Sequence, residues 1–260
     1  MARPELSVAI AAARAAGAVI REIYAAPFDV RHKGHDNPVT EADLQANERI
    51  HGIIHAAFPD DGWLSEETRD QPDRLAKSRV WIIDPLDGTK EFVQHIPEFC
   101  VCVALVDGGE PIVGVSYDPI HDEVFAAERG GGLTVNGIPA RVSSESALDR
   151  ARVLASRSED KRGEWEAYKP HMQVALTGSV AFKLALVAAG RADATFSLTP
   201  KNEWDICAGT LLVSEGGGRM TDRACQPLRF NQPDPLRPGL IASNGRLHGP
   251  LQDLIARLSA

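Results

Sequence analysis

The stretch from Val80 to Thr89, Val-Trp-Ile-Ile-Asp-Pro-Leu-Asp-Gly-Thr, restricts the fold of this chain more than any other. The short apolar run Val80-Trp81-Ile82-Ile83 reads as a buried strand. The strand delivers Asp84 to its end, Pro85 forces a turn, and Asp87 follows with Gly88 and Thr89. Two carboxylates three residues apart at such a turn can converge on one point, as hard cations require of oxygen ligands. A helix starting at Gly88 or Thr89 would aim its unpaired amides at the same point, which suits a phosphate. The local alternative is that Asp87 caps a helix and Asp84 forms a turn, and on spacing alone the two readings are even.

Three further acidic positions bear on that balance. Ser65-Glu66-Glu67 follows an apolar turn and could set Glu66 beside the strand end. Thr40-x-x-Asp43 has the spacing of a helix capping box. Asp205, after Trp204, opens a helical pattern, where a carboxylate favours the dipole. Each alone is more often structural, and spacing does not show that they meet.

The rest of the chain supplies the frame. The alanine-rich start, interrupted by Arg14 and Arg21, reads as an amphipathic helix rather than a secretory signal. A turn-rich segment, Pro27 to Pro38, ends in Asp36-Asn37-Pro38, and a second helix runs from Thr40 to Phe58. Strands are expected at Phe99–Val106, Ile112–Tyr117 and Val124–Ala127, with a hairpin around Gly130-Gly131-Gly132 and Asn136-Gly137. The second half alternates: a strand at Val153–Ser156, a charged helix at Glu159–Tyr168, a strand at Val174–Leu176, a helix at Ala181–Ala189, a strand at Ala194–Phe196 and a helix at Asp205–Glu215. The expectation is a layered α/β (α+β) sandwich. Residues 1–146 carry a helix pair and an antiparallel sheet, and residues 147–260 a mixed sheet with flanking helices.

At 43% hydrophobic and 25% charged, the 260 residues can build a sizeable core. A net charge of -8 argues against a partner that is a nucleic acid polymer. It leaves room for a small anionic substrate, because bound divalent cations invert the local field. No apolar stretch reaches the ~20 residues of a membrane span. Cys100 and Cys102 alternate with Val101 and Val103 and read as buried thiols of a cytoplasmic protein. The histidines form no metal-ligand spacing, and His51 and His55, four apart on a helical pattern, lack the acidic partner of a zinc protease motif and read as surface residues.

Together, Asp43 in Val-Thr-Glu-Ala-Asp, Glu66 in Leu-Ser-Glu-Glu, Asp84-Pro-Leu-Asp87-Gly-Thr89 and Trp204-Asp205-x-x-Ala208-Gly209 resemble the inositol monophosphatase-like superfamily over nearly the whole chain. The resemblance implies a magnesium-dependent phosphomonoesterase, with two or three ions per site, acting on a small phosphorylated metabolite. It makes Glu66, Asp84, Asp87, Asp205 and the Leu86 carbonyl metal ligands. Thr89 and Asp43, with Glu66, prepare the attacking water, and the Gly88 and Thr89 backbone holds the phosphate. Lithium sensitivity follows from the same resemblance. Oligomeric state stays open, a homodimer being one option.

Within the superfamily, Lys90-Glu91-Phe92 and Gly178-Ser179-x-x-x-Lys183 resemble the 3'(2'),5'-bisphosphate nucleotidase branch. The expected substrate is then 3'-phosphoadenosine 5'-phosphate, its second phosphate held by Ser179 and Lys183. Leu198, about where inositol phosphatases carry an acidic residue, points the same way. Ser197 departs from the nucleotidase pattern, with Lys201 a substitute cation, and Gln94-His95-Ile96-Pro97 is closer to the inositol phosphatase style. The alternative is an inositol-1-monophosphatase, or a related sugar or histidinol phosphate phosphatase.

Overall fold

The computed structural model describes residues 3–34 and 37–258. Helix α1 (Pro4–Tyr24) is followed by a hairpin of β1 (Val30–Gly34) and β2 (Asn37–Thr40), then by α2 (Glu41–Ala57). A seven-stranded sheet comes next, in the spatial order β3 (Gly62–Ser65), β4 (Arg79–Asp87), β5 (Cys100–Asp107), β6 (Glu110–Asp118), β7 (Glu123–Glu128), β8 (Gly132–Val135) and β9 (Ile138–Ala140), with the short helix α3 (Thr89–Val93) between β4 and β5. Only the β3–β4 pair is parallel.

The remaining elements are β10 (Arg152–Ala155), α4 (Arg157–Lys161), β11 (Gln173–Leu176), α5 (Val180–Ala188), β12 (Ala194–Ser197), β13 (Lys201–Asn202), α6 (Glu203–Glu215), β14 (Arg219–Thr221), β15 (Leu236–Arg237), β16 (Leu240–Ser243) and α7 (His248–Leu258). A second sheet has the order β11-β10-β12-β16-β14. Strand β10 runs parallel to β11 and β12, whereas β16 is antiparallel to β12 and β14.

Strand β4 shows why the run from Val80 to Ile83 is apolar throughout. Val80 and Ile82 enter one core with α5, α6 and the second sheet, while Trp81 and Ile83 enter another with α1 and α2. A third core lies on the far side of the second sheet, where Val153, Phe196 and Ile241 meet Trp165, Tyr168 and α7. The layers are therefore helices, sheet, helices, sheet, helix. The middle layer is tight: a Cβ on Gly209 of α6 would come within 2.4 Å of Leu184 on α5, and one on Gly114 of β6 within 2.8 Å of the Ala208 carbonyl.

Three local expectations change. The segment from Pro27 to Pro38 holds the β1–β2 hairpin, in which His32 faces Pro38; Asp36 of the expected turn lies outside the described residues. The helix expected over Glu159–Tyr168 stops at Lys161, since Gly163 takes φ +79° and Trp165 and Tyr168 turn into the third core. Pro85 does not end its strand. It makes a bulge instead, for β4 pairs Asp84 with Cys102 and then Asp87 with Cys100. Cys100 and Cys102 are buried, as expected, and no described helix is long and apolar enough to cross a membrane.

His248 anchors α7 to the second sheet, within hydrogen-bonding distance of Thr221 Oγ1 (3.1 Å) and Ser243 Oγ (3.2 Å). Burial holds its pKa down to about 4 from 6.5, so the folded chain refuses a proton that the unfolded chain accepts. Stability associated with this residue should fall as pH drops from about 6.5 to 4, by roughly 3 kcal/mol at most, and level off below. Urea unfolding of wild type and His248→Asn at several pH values checks this: the variant should lack that part of the slope.

Candidate active site

The bulge in β4 is what turns two nearby carboxylates toward one cleft. Asp84 is buried, and its Oδ1 accepts from the Leu86 amide at 3.0 Å, which fixes the side chain across the bulge. Glu66 leaves the end of β3 with its amide bonded to the Ile83 carbonyl at 3.2 Å, so it stands beside Asp84. From the other half of the chain, Asp205 occupies the first turn of α6, oriented by the Asn202 amide on its Oδ2 at 3.1 Å. One carboxylate oxygen from each of Glu66, Asp84 and Asp205 lies within 4.8 Å of the others.

This clustering is electrostatically unfavourable on its own. Burial first, then the charges of Glu66, Asp87 and Asp205, push the Asp84 carboxyl well above its ordinary range. Burial, then Asp87 and Glu66, do the same to Asp205. Buried like charges without a counter-cation are expensive. The donor set is all oxygen and all carboxylate, which fits a hard divalent cation such as magnesium and does not suit a soft one.

Asp87 stands slightly apart from that trio. Its Oδ2 accepts from Ser179 Oγ (2.5 Å) and from the Ala181 amide (2.6 Å) at the start of α5, which leaves Oδ1 as the oxygen available to an ion. Gly88 follows with φ +102°, where a Cβ would press on the Glu98 carbonyl at 3.0 Å. This left-handed residue releases the chain into α3.

Thr89 and Asp43 meet at the same place. Thr89 Oγ1 donates toward Asp43 Oδ1 at 2.8 Å, with the Leu86 carbonyl at 3.1 Å. Asp43 Oδ2 accepts from the amide and the hydroxyl of Thr40, both at 2.7 Å, as a capping box. Its carboxyl is raised by burial, against the lowering effect of these bonds. With its hydrogen directed to a carboxylate, Thr89 presents a lone pair to anything bound in front of it.

A cleft of about 580 Å³ opens onto Glu66, Asp87, Thr89 and Asp205, with the buried Asp43 and Asp84 behind its wall. Glu66, Leu86, Asp87, Gly88, Thr89 and Asp205 line one side, and Arg157, Lys161, Lys183 and Lys201 are also on its wall. Lys183 is buried, which lowers its pKa, and its Nζ reaches the Thr177 carbonyl at 3.4 Å. Ser179 bonds Asp87 and caps α5 by accepting from the Phe182 amide at 2.9 Å. Gly178 gives its amide to Glu98 at 2.6 Å, and a Cβ there would collide with Glu91 at 2.3 Å. Thus Gly178 and Ser179 are occupied in building the site. Leu198 packs into the third core rather than lining the cleft.

The sequence reading passed over Glu159 and Arg157. Glu159 is buried and gathers Ser197 Oγ (2.5 Å), Lys201 Nζ (3.0 Å) and Trp165 Nε1 (3.3 Å), while Arg157 pairs with Glu98. Both lie in a charged run that resembles a solvated helix face, and only the buried aromatic residues nearby hint otherwise.

A five-layer α/β sandwich with a carboxylate cleft between its two sheets is a recognisable class of hydrolase scaffold. Comparison with known proteins specifies it. The sequence profile of the Inositol monophosphatase family matches residues 1–260. Nus factor SuhB of Xylella fastidiosa is 34% identical, over 98% of this chain and 95% of that protein. Inositol monophosphatase 2 of Solanum lycopersicum is 36% identical, over 84% of this chain and 86% of that one. Among solved structures, the Thermotoga maritima IMPase superposes with a TM-score of 0.89 at 30% identity, covering 99% of this chain and 98% of its own. The chain belongs to the inositol monophosphatase family and is a phosphoric monoester hydrolase. Enzymes of this family use magnesium and act on small phosphorylated substrates. The expected nucleotidase branch is not supported: these relatives carry the names SuhB and inositol monophosphatase.

Proposed function

We propose that this chain hydrolyses the phosphate ester of a small cyclic polyol of the inositol 1-phosphate type, by direct attack of a water molecule. The observation that carries the reading is the bonded chain Asp43–Thr89–Leu86 carbonyl at the lip of the Glu66, Asp84 and Asp205 cluster. Glu66, Asp84, Asp87, Asp205 and the Leu86 carbonyl would hold magnesium, which would supply Lewis acidity to the reaction.

The chain's own residues do the rest. Thr89 Oγ1 accepts the hydrogen bond of the water and passes its own proton toward Asp43 Oδ1. The raised Asp43 carboxyl is suited to receive that proton. Backbone amides of Gly88 and Thr89 orient the phosphate, and the cleft is large enough for a small phosphate ester. No covalent nucleophile is required. The names of the relatives favour inositol phosphate.

A second reading, hydrolysis of 3'-phosphoadenosine 5'-phosphate, draws on the cations Arg157, Lys161, Lys183 and Lys201 along the same cleft. Phosphate release in magnesium from each compound separates the two. A kcat/KM higher for inositol 1-phosphate supports the first reading; a preference for the nucleotide replaces it with the second. No release from either by folded protein overturns both.

A further inference from the structure

We propose that His51 and His55, on the exposed face of α2, form a two-histidine site for a borderline-soft divalent cation such as Ni²⁺ or Zn²⁺, separate from the carboxylate centre. The residues are four apart on a 17-residue helix, so both rings leave from one face, one turn apart. Their centroids are 5.4 Å apart and their planes only 11° from parallel. Two imidazoles held side by side on one ion, with metal–nitrogen bonds near 2.1 Å, place their centroids about 4.5–5.2 Å apart. The centroid spacing is close to that of a chelate, but imidazole lone pairs lie in the ring plane, so one of the two nearly parallel rings must rotate about its Cβ–Cγ bond before both nitrogens face one ion.

Both rings are uncommitted. Neither makes a hydrogen bond or ion pair among the described residues, so their nitrogens remain for a ligand. Burial and the neighbouring His55 lower the His51 pKa, which favours the neutral, ligating form at neutral pH. The edge of Trp63 packs on His51, with ring centroids 4.8 Å apart, and fixes that ring's place on the helix surface. Imidazole nitrogen selects nickel, copper or zinc over magnesium. Water would complete the coordination shell, because no third ligating side chain joins the pair among the described residues.

Trp63 also supplies the readout, since paramagnetic Ni²⁺ quenches an indole next to it. The experiment titrates Ni²⁺ into the full chain with magnesium in excess, following tryptophan emission and counting bound ions by equilibrium dialysis. Wild type should show saturable quenching with one nickel bound per chain. Trp63→Phe should lose the optical signal but keep the bound ion. His51→Ala and His55→Ala should each weaken binding by about tenfold or more. Alanine is favourable at exposed helical positions, so both variants are expected to fold, and an unchanged phosphatase activity would verify that they have. Quenching and dialysis that are the same in wild type and in both alanine variants would overturn the proposal. So would a wild type that binds no nickel beyond the magnesium-competed ions.

Discussion

Asp84→Asn should abolish turnover and at the same time make the metal-free protein more stable. Asp84 is buried and shares a cluster of like charges with the partly buried Glu66 and Asp205, whose repulsion adds to burial in raising its carboxyl. Asparagine keeps an oxygen to accept from the Leu86 amide but removes one negative charge. The repulsion falls, and the melting temperature without magnesium should rise by several degrees. Magnesium should raise the melting temperature of wild type more than that of the variant, because binding to the folded state alone is stabilising. Turnover should drop on the order of 10³-fold or more, about 4 kcal/mol of transition-state stabilisation. Calorimetry with and without magnesium, alongside phosphate release, checks both halves. A variant less stable than wild type in the absence of metal would show that Asp84 serves the fold instead.

Thr89→Ala should leave the protein folded and able to respond to magnesium while kcat falls by about 10²–10⁴-fold. The side chain is small and lies on the cleft wall, and its removal leaves Asp43 Oδ2 on its two bonds with Thr40. Only the route from water to Asp43 is cut. Thr89→Ser keeps the hydroxyl and should restore kcat to within about tenfold of wild type. KM should change little in both. If kcat survives in the alanine variant, the proton leaves by another path, and the bond to Asp43 is structural.

Asp43 and Asp205 show what was readable in the sequence. Thr40-x-x-Asp43 has the spacing of a capping box, and it is one, yet the same carboxylate holds Thr89 with its other oxygen. Asp205 likewise closes a capping box on α6 and enters the carboxylate cluster. For both residues the choice between a structural and a functional role dissolves, since the cap aims the side chain. Local spacing gave the cap. It had no access to the meeting of α2, β4 and α6, which is a matter of how the layers stack.

Strands β4 to β7 and β10 to β12 were legible because their apolar runs are bounded by turns, and Asn136-Gly137, where both residues take positive φ, marked the hairpin beyond them; β3, β14 and β16, short and without such punctuation, were not read. The β1–β2 hairpin was not: Arg31 and His32 offer no apolar alternation, and Pro38 stands inside a strand. Ser179 and Lys183 illustrate a different kind of reading, since both line the cleft and one of them also has a structural task. A hydroxyl and a cation near a cleft suggest an anion site, but Ser179 is committed to Asp87 and to the cap of α5.

The bond from Asp87 to the first turn of α5 has one further consequence. Asp87 belongs to the first sheet, whereas α5 and α6 grow out of the second half of the chain and pack between the two sheets. The reactive cleft therefore has no portable version: no contiguous fragment shorter than the span from Asp43 to Asp205 contains its parts. A lineage that recombines half-domains would lose the chemistry at once, whereas one that alters surface loops would keep it.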